Sequence, residues 1–474
     1  MTGPGLALPR VVVAAPGSGH GKTMLATGIM AALRARGDVV SPHKVGPDYI
    51  DPGYHALAAG RPGRNLDPYL QGEHLVAPLL AHAALTPEPA TIAVIEGVMG
   101  LFDGLIGSAG FSSTAHVARL VQAPVVLVVD CTATARSVGA VVHGFSRFDE
   151  AVRVAGVVLN NVASARHEQE ARDGVAATGV PVLGCVPRRP DVVVPSRHLG
   201  LVPAAERRPE ADDAVGALSE LVQAHVDLDA LRGLAASAPR LDAAPWSAAA
   251  AVGEPVPGRP RVAVAAGRAF TFGYAETTEL LEAAGADVVA FDPLRDPVLP
   301  PGTAGLVIGG GFPEVHAHAL SHNASLRDSV TALVRRGGVV AAECAGLLYL
   351  GRALQGEPMC GVLPFTAALG PRLTLGYRAA VATVDTLLTR AGERVTGHEF
   401  HRTVIEPLPL APAAEHLDAG APWAWTAHDG TTVREGFATD RLHASYLHVH
   451  WAGHPRLARR FVEAAAASAG EAAA

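Results

Sequence analysis

The sequence contains few of the residues that mark several large classes of protein. Of its 474 residues only 5% are aromatic and 18% are charged, and the net charge of −7 offers no basic face for nucleic acid. Four cysteines, none in a CxxC pair, are too few for a disulfide framework. No run approaches the roughly 18 uninterrupted apolar residues of a membrane span, and the N-terminus lacks a signal-peptide pattern. We therefore expect a soluble, cytoplasmic protein that binds neither nucleic acid nor membrane.

What the sequence does contain is typical of a two-domain α/β protein. Hydrophobic residues make up 49%, and 51 glycines and 36 prolines supply many tight turns. Apolar runs alternate with amphipathic stretches, which predicts parallel sheets covered by helices. Strands are predicted at residues 11–15, 91–95, 124–130 and 154–159, and again at 261–265, 287–291, 305–308 and 338–342. The predicted parts are a domain at 8–235, an Ala- and Pro-rich linker at 236–260, a second domain at 261–466 and a flexible tail at 467–474.

A glycine-rich segment, PGSGHGKT, follows the first predicted strand and precedes a helical pattern. A strand, a glycine turn and a helix N-terminus place backbone N–H groups around a phosphate. Here Gly19 and Gly21 shape the loop, Lys22 reaches the β- and γ-phosphates, and the Thr23 hydroxyl ligates Mg²⁺. The usual motif has glycine where this chain has Pro16, but the strand–loop–helix context is complete. The segment predicts an ATP site with Mg²⁺, and its alternative is a glycine-rich turn without function.

Carboxylates follow two of the predicted strands. Asp48 and Asp51 lie in KVGPDYIDPGYH, while Glu96 closes a strand and Asp103 comes seven residues later. Carboxyl ends of parallel strands meet beside the phosphate crevice, where carboxylates can hold Mg²⁺. We predict that Glu96 and one early aspartate, assigned as Asp48, are metal ligands. Asp51 and Asp103 are assigned to the substrate side of the acidic cluster, with turn capping as the alternative.

The segment VVAAECAGLLYL predicts a buried strand that ends at Cys344 and turns into a helix. Such an elbow lifts the thiol out of the sheet and points helix N-terminal N–H groups at the sulfur. We predict Cys344 as a nucleophile, with oxyanion donors at Ala345 and, from the GGGFPE turn, at Gly311. The alternative for Cys344 is an inert core thiol. The other cysteines are interpreted as structural: Cys131, Cys185 and Cys360.

The base for this thiol is predicted within YLHVH. His448 and His450 are two residues apart on a strand and share one face, so either can meet the thiol. Other histidines stay open as rivals: His443, His398 and His401.

Eight segments, in this order and spacing, resemble the cobyrinic (or hydrogenobyrinic) acid a,c-diamide synthases. They are APGSGHGKT, KVGPDYIDPGYH, EGVMGLFDG, VLNNV, PSRHLGLVPAAE, GGGFPE, GHEFHRT and ASYLHVHW, and they extend over nearly the whole chain. The resemblance implies a dethiobiotin-synthetase-like ATP domain fused to a class I-type glutamine amidotransferase domain. It further implies that Asn160 lies near the adenine and that His448 is the partner of Cys344. Many class I glutaminases have Glu two residues after that histidine, where this chain has His450, so the third member of the triad is open.

The activity implied by the resemblance is ATP- and glutamine-dependent amidation of the a- and c-acetates of a corrin ring, through acyl phosphates and ammonia. The partners are then glutamine, ATP and a corrinoid tetrapyrrole acid. The sequence leaves open whether the substrate carries cobalt, and whether the protein is a homodimer. Rival functions are an amidase of another tetrapyrrole, such as nickel-sirohydrochlorin, the related cobyric acid synthase, and a non-enzymatic switch ATPase of the partitioning type.

Overall fold

The computed structural model describes residues 5–189, 196–197, 200–408, 420–427 and 429–473. Parts of the predicted PSRHLGLVPAAE segment and the last residue of the predicted tail lie outside these ranges. The chain forms two compact units, Met1–Trp246 and Ser247–Ala474. Among the described residues, no helix has the length and apolar character that crossing a bilayer requires.

The first unit is built on a parallel sheet of seven strands in the order β3-β2-β4-β1-β5-β6-β7. Its central strands are buried along their whole length, which is why the sequence shows continuous apolar runs there and not an alternating pattern. The four strands predicted for this half are confirmed as β1, β4, β5 and β6. The strands are β1 (Arg10–Ala14), β2 (Val40–Val45), β3 (Arg64–Leu66), β4 (Ile92–Glu96), β5 (Val125–Asp130), β6 (Val154–Val162) and β7 (Val182–Pro187), with a small antiparallel pair β8 (Ser196–Arg197) and β9 (Gly200–Leu201).

Helices connect these strands. β1 leads through the phosphate loop into the first helix, whose residues 25–33 are buried. The helices are α1 (Lys22–Ala35), α2 (Asp51–Ala59), α3 (Pro68–Gln71), α4 (Glu73–Leu85), α5 (Thr114–Leu120), α6 (Val138–Arg147), α7 (Ala165–Ala176), α8 (Arg208–His225) and α9 (Leu228–Ala236).

The second unit contains two larger sheets. One is parallel except at its edge, in the order β11-β10-β12-β13-β21-β20, and it includes all four strands predicted for this half. The other has the order β15-β14-β16-β17-β22 and is organised around a long antiparallel pair. The strands are β10 (Arg261–Ala265), β11 (Asp287–Phe291), β12 (Thr303–Ile308), β13 (Val339–Glu343), β14 (Ala353–Leu354), β15 (Glu357–Pro358), β16 (Phe365–Ala382), β17 (Arg394–Pro407), β18 (Trp423–Thr426), β19 (Thr432–Glu435), β20 (Phe437–Ala438), β21 (Leu442–Ser445) and β22 (His448–Val449).

Helices flank the strands of this unit as well. They are α10 (Ala248–Val252), α11 (Ala275–Ala283), α12 (Pro313–His322), α13 (Ala324–Arg335), α14 (Ala345–Leu350) and α15 (Arg456–Ala473), with a 3₁₀ turn at Trp451–Gly453. The short helix α10 lies inside the segment predicted as a linker, and the two units divide just before it.

The segment predicted as a flexible tail, residues 467–474, belongs to a helix as far as Ala473. The buried face of this helix, α15, consists of Leu457, Ala458, Phe461, Val462, Ala465 and Ser468. The Ser468 hydroxyl donates to the Gly337 carbonyl at 2.9 Å, and Glu471 accepts from Arg441 at 2.9 Å. Low sequence complexity therefore concealed an amphipathic helix.

Candidate functional site

The phosphate loop has the geometry that its glycines require. Gly19 and Gly21 have φ angles of +85° and +83°, in the left-handed region that favours glycine. A Cβ at Gly21 would also lie 2.3 Å from Nδ2 of Asn160, which donates to the carbonyl of His20 at 3.0 Å. Asn160, predicted to lie near an adenine, is therefore placed directly against the loop. Lys22 is the first residue of α1, as the motif predicted.

The ammonium groups of Lys22 and Lys44 both lie beside this loop. Lys22 Nζ donates to the carbonyl of Met99 at 3.2 Å. Burial, and then the nearby charge of Lys44, lower the pKa of Lys22. Both groups are at least nine-tenths buried, so an anionic ligand between them would relieve desolvation and mutual repulsion. The geometry suits a polyphosphate.

Lys44 is a site residue to which sequence reasoning assigned no role. Its Nζ donates to Asp51 Oδ2 at 2.6 Å and to Glu96 Oε1 at 2.7 Å. Burial opposes its charge, but Asp51 and Glu96 outweigh burial and hold the pKa of Lys44 above its usual value. A signal for it exists in the sequence: Lys22 and Lys44 are the two lysines of the chain, and every other strongly basic side chain is arginine.

The Thr23 hydroxyl joins the same buried group. It lies 2.6 Å from Glu96 Oε1 and 3.2 Å from Asp51 Oδ2. The other oxygen of Glu96, Oε2, lies 2.7 Å from His55 Nε2, and both of these side chains are fully buried. Burial alone would raise the pKa of Glu96, yet Lys44 and His55 hold it below its ordinary range. Glu96 is therefore an anion with both oxygens engaged.

Three carboxyl groups, those of Asp48, Asp51 and Glu96, lie within 4 Å of Lys44 Nζ. Burial, followed by the Asp48 charge, raises the pKa of Asp51 to about 8, so this carboxyl favours its protonated form near pH 7 and would lose the proton when a cation binds. Hard oxygen atoms beside a threonine hydroxyl suit a divalent cation such as Mg²⁺. Among the described residues, no three acidic, histidine or cysteine side chains form a ready-made metal site. A cation here would take other oxygens as well, for which nucleotide phosphates are the natural source.

The remaining predicted carboxylates lie at the edges of this cluster. Asp48 Oδ1 accepts the N–H groups of Ile50 at 2.8 Å and Asp51 at 3.1 Å, which stabilises the start of α2, and its Oδ2 is 3.9 Å from Lys44 Nζ. Asp103 accepts the N–H of Gly100 at 3.0 Å and closes the turn that follows β4. Turn capping, given as the alternative for Asp103, describes its contact, while Asp51 lies in the middle of the cluster.

A second site lies in the other unit, at the turn between β13 and α14. Cys344 occupies this turn with φ +48° and ψ −99°, a conformation that a non-glycine residue adopts only when its surroundings impose it. Its N–H donates to the Ser445 carbonyl at 2.8 Å. Gly346 permits the close packing, because a Cβ there would lie 2.3 Å from the Ile308 carbonyl oxygen. This is the strained strand-to-helix elbow that the sequence predicted.

Backbone N–H groups face the sulfur of Cys344. Burial, and then the charge of Glu314, raise the pKa of the thiol above its usual range, while the N–H groups of Ala345 and Gly311 act in the opposite direction. The two predicted oxyanion donors therefore both converge on Sγ. The thiol itself is 3.8 Å from the carbonyl of Phe400. Because it is neutral at rest, attack on an amide needs a base to remove its proton.

His448 and His450 have different surroundings. His448 is fully buried, and its ring packs on the glycine turn so closely that a Cβ at Gly310 would lie 2.4 Å from Cε1. Its Nδ1 is 3.5 Å from Oε2 of Glu343. His450 Nε2 is instead 3.8 Å from Glu276 Oε2. His448 is thus the histidine beside the oxyanion turn.

The three rival histidines have structural contacts. His443 shares a 3.3 Å contact with the Thr386 hydroxyl, His401 stacks on Tyr446 with centroids 3.7 Å apart, and His398 pairs with His448 across β17 and β22. The other cysteines have the structural surroundings predicted for them, since burial raises the pKa of each: Cys131, Cys185 and Cys360.

Sequence reasoning also missed a partly buried carboxylate behind the elbow. Glu435 accepts from the Ser445 hydroxyl at 2.5 Å and from the N–H of Tyr446 at 2.8 Å. Burial raises the pKa of Glu435 to about 7. Its position within GTTVREG carries no recognisable motif, so only the tertiary structure could identify it.

Known proteins match both units. The CobQ/CobB/MinD/ParA nucleotide binding domain matches residues 11–202, and the CobB/CobQ-like glutamine amidotransferase domain matches residues 261–456. Proteins named hydrogenobyrinate a,c-diamide synthase from Streptomyces coelicolor and Thermobifida fusca are 56% and 52% identical to this chain, over 97% of it and 98% of each relative. A cobyrinate a,c-diamide synthase from Synechococcus is 40% identical over 96% of this chain and 98% of its own. The predicted fold class, a nucleotide-binding α/β unit followed by a glutamine amidotransferase unit, is confirmed.

Proposed function

The chain belongs to the family of hydrogenobyrinate and cobyrinate a,c-diamide synthases, and we propose that it converts the a- and c-acetates of hydrogenobyrinic acid into amides with ATP and glutamine. The protein is a ligase of cobalamin biosynthesis that takes its amide nitrogen from glutamine. The metal-free substrate is supported by the identities, which are 56% and 52% with the hydrogenobyrinate enzymes and 40% with the cobyrinate enzyme. The cytoplasmic location predicted from the sequence, and a homodimer, remain predictions.

The observation that carries this function is that one chain contains two complementary sites. Lys22 and Lys44 offer buried positive charge for phosphates. Cys344 offers a nucleophile with two backbone donors, from Gly311 and Ala345, facing its sulfur. A switch ATPase, the rival from another class, has no use for the second site.

At the first site, Lys22 and the loop N–H groups hold the β- and γ-phosphates of ATP. A substrate carboxylate oxygen attacks the γ-phosphorus and the bond to the bridging oxygen breaks. ADP departs, and the substrate carries the phosphoryl group as an acyl phosphate. Mg²⁺ would be held by Thr23 together with Glu96 and an early aspartate, and would neutralise phosphate charge. Asp51 suits that role better than Asp48, because its Oδ2 lies 3.2 Å from the Thr23 hydroxyl whereas Asp48 stabilises the start of α2. Ammonia then attacks the acyl carbon, loses a proton and displaces phosphate.

At the second site, His448 removes the thiol proton as Cys344 adds to the side-chain amide carbon of glutamine. The oxyanion accepts from the N–H groups of Gly311 and Ala345. The proton returns to the departing nitrogen, ammonia leaves, and a glutamyl thioester remains. Water then hydrolyses the thioester to glutamate and regenerates the thiol.

Mass spectrometry of the products tests the substrate. Purified protein is incubated with ATP, Mg²⁺ and [amide-¹⁵N]glutamine, and with hydrogenobyrinic acid, cobyrinic acid or nickel-sirohydrochlorin in parallel. We expect hydrogenobyrinic acid to gain labelled nitrogen at both acetates and to be used preferentially. A preference for cobyrinic acid would correct the substrate, and ATP hydrolysis without any amide product would contradict the enzymatic function.

A further inference from the structure

The glutaminase site has a histidine where a carboxylate is usual. His450 lies two residues after His448 and is fully buried. Its Nε2 is 3.8 Å from Oε2 of Glu276, and its ring packs against the Tyr274 ring at a tilt of 33°, with centroids 4.0 Å apart. His450 is therefore directed at the Glu276 carboxylate. It does not supply the carboxylate that would accept a hydrogen bond from the His448 ring, as a glutamate at this position would. The acidic member must come from another element.

We propose that Glu343, the residue immediately before the nucleophile, is the positioning residue that orients His448 for proton transfer. This inference rests on the proposed function of the Cys344 site. It assigns the third member of the glutaminase machinery to the strand that carries the nucleophile, not to the strand that carries the base.

The carboxylate of Glu343 contacts the strand of His448 through both oxygens. Oε2 is 3.5 Å from Nδ1 of His448, and Oε1 accepts the N–H of Val449, also at 3.5 Å. Strand register supports this placement, because Glu343 at the end of β13 pairs with Ser445 of β21, three residues before His448. The side chain is 26% exposed, so it is mostly enclosed but not locked in the core. Catalytic hydrogen bonds are often long before substrate binds and tighten in the complex.

The other side of the histidine ring is fixed by the glycine turn. Gly310 leaves just enough room for Cε1, and the Phe272 ring lies 6.4 Å from the imidazole. With Nδ1 directed at a carboxylate, the tautomer that carries its proton on Nδ1 is favoured, and Nε2 is the atom that can accept a proton. The arrangement resembles the orientation of a base by an acid in other nucleophilic enzymes.

The negative charge of Glu343 has opposite effects on Cys344 and on His448, which distinguishes orientation of the base from direct activation of the sulfur. A carboxylate at Glu343 raises the pKa of Cys344, as does Glu314, so its direct effect disfavours the thiolate. Its favourable effect can only pass through the histidine, since it stabilises the imidazolium that forms when the thiol proton moves. Removing the carboxylate should therefore slow the reaction even though it removes a repulsive charge from the sulfur.

The test compares Glu343→Gln, Glu343→Asp and the matched control Glu276→Gln, which alters the buried carboxylate beside His450. We expect Glu343→Gln to lower the glutaminase kcat by about 10²–10⁴-fold, with the glutamine KM changed by less than about threefold. Glu343→Asp should recover part of the rate. Synthesis from ammonium salts should be normal in all three folded variants, and Glu276→Gln should keep the wild-type kcat.

Each contrary outcome has a distinct meaning. A normal glutaminase kcat in Glu343→Gln, or an equal loss in Glu276→Gln, would overturn the assignment of Glu343. So would a fall in kcat for Glu314→Gln that is absent in Glu343→Gln, because the acid would then lie on the oxyanion turn. Cys344→Ala measured in parallel separates the two proposals: if it still uses glutamine, the proposed function of the site fails, and not merely the role of Glu343.

Discussion

The phosphate-loop site and the elbow site handle charge in different ways. Around Lys44, side chains of both signs lie 2.6–2.7 Å apart and are almost fully buried. Around Cys344, the sulfur is neutral and its favourable partners are backbone N–H groups. The Glu343 carboxylate lies 3.5 Å from Nδ1 of the base, His448. The first site is organised around the buried ion pair of Lys44 and Glu96, while the second is neutral until reaction creates charge.

The difference follows from the ligands. A nucleotide brings several negative charges and a cation, so the protein needs fixed counter-charges and a buried ion network in which each partner stabilises the others. A glutamine amide is neutral, so charge appears only in the transition state, where prearranged N–H dipoles are effective. Substitutions should accordingly be costly and non-additive at the first site and more selective at the second.

The largest effect is expected for Lys22→Ala. Loss of the ammonium that faces the phosphates should reduce diamide synthesis by about 10³-fold or more with either glutamine or ammonium salts as nitrogen source. Glutaminase activity measured by glutamate release should survive. The matched variant Lys22→Arg keeps the charge in a larger, planar group and should rescue little. Near-normal synthesis by Lys22→Ala would mean that this loop is not the ATP site.

A smaller but still large effect is expected for Glu96→Gln. The substitution keeps the shape of the side chain but removes its negative charge. That charge stabilises the Lys44 ammonium and would attract a cation, so diamide synthesis should fall by about 10²-fold. Raising the Mg²⁺ concentration should restore part of the rate. The control is Asp103→Asn. The Asp103 carboxylate accepts the N–H of Gly100 within a turn, so its substitution should have little influence on the Mg²⁺ dependence. An unchanged Mg²⁺ dependence in Glu96→Gln would make the cluster purely structural.

The smallest effect concerns Glu435, whose carboxyl is neutral in much of the folded population near pH 7. Its pKa is raised to about 7 from an ordinary 4.5. Between these values the unfolded chain releases the proton and the folded chain keeps it, so stability falls as pH rises through this window and levels off above it. Partial exposure limits the loss to about 1–3 kcal/mol. Glu435→Gln should remove this dependence, so its Tm relative to wild type should rise between pH 5 and pH 8. A pH-independent difference would contradict the raised pKa.

The elements that sequence reasoning predicted are those defined by local pattern. The parallel strands read as apolar runs because both faces are covered, and the loop at Lys22 and the elbow at Cys344 combine a strand, a turn and a helix start within one segment. The long pair β16 and β17 was not predicted. Its burial alternates irregularly, and a register shift interrupts the pairing between Leu369 and Thr374.

Partnerships between distant residues could not be read from the sequence. Lys44 and Glu96 are 52 positions apart, and Glu343 and His448 lie on different strands. Composition gave a hint for Lys44, because the chain has two lysines among many arginines and both lysines lie beside the phosphate loop. For Glu343 no comparable hint exists, because a glutamate at the end of a strand is ordinarily a solvated residue.

The division of labour between the two sites is the central claim, and the nitrogen source of Cys344→Ala tests it most directly. The measurement is diamide formation from hydrogenobyrinic acid and ATP with either glutamine or a high concentration of ammonium salt. We predict that glutamine supports no detectable amidation in this variant, while ammonium supports a rate within about threefold of the ammonium-dependent wild-type rate. Loss of the ammonium-dependent reaction in a folded Cys344→Ala protein, or persistence of the glutamine-dependent one, would contradict the account.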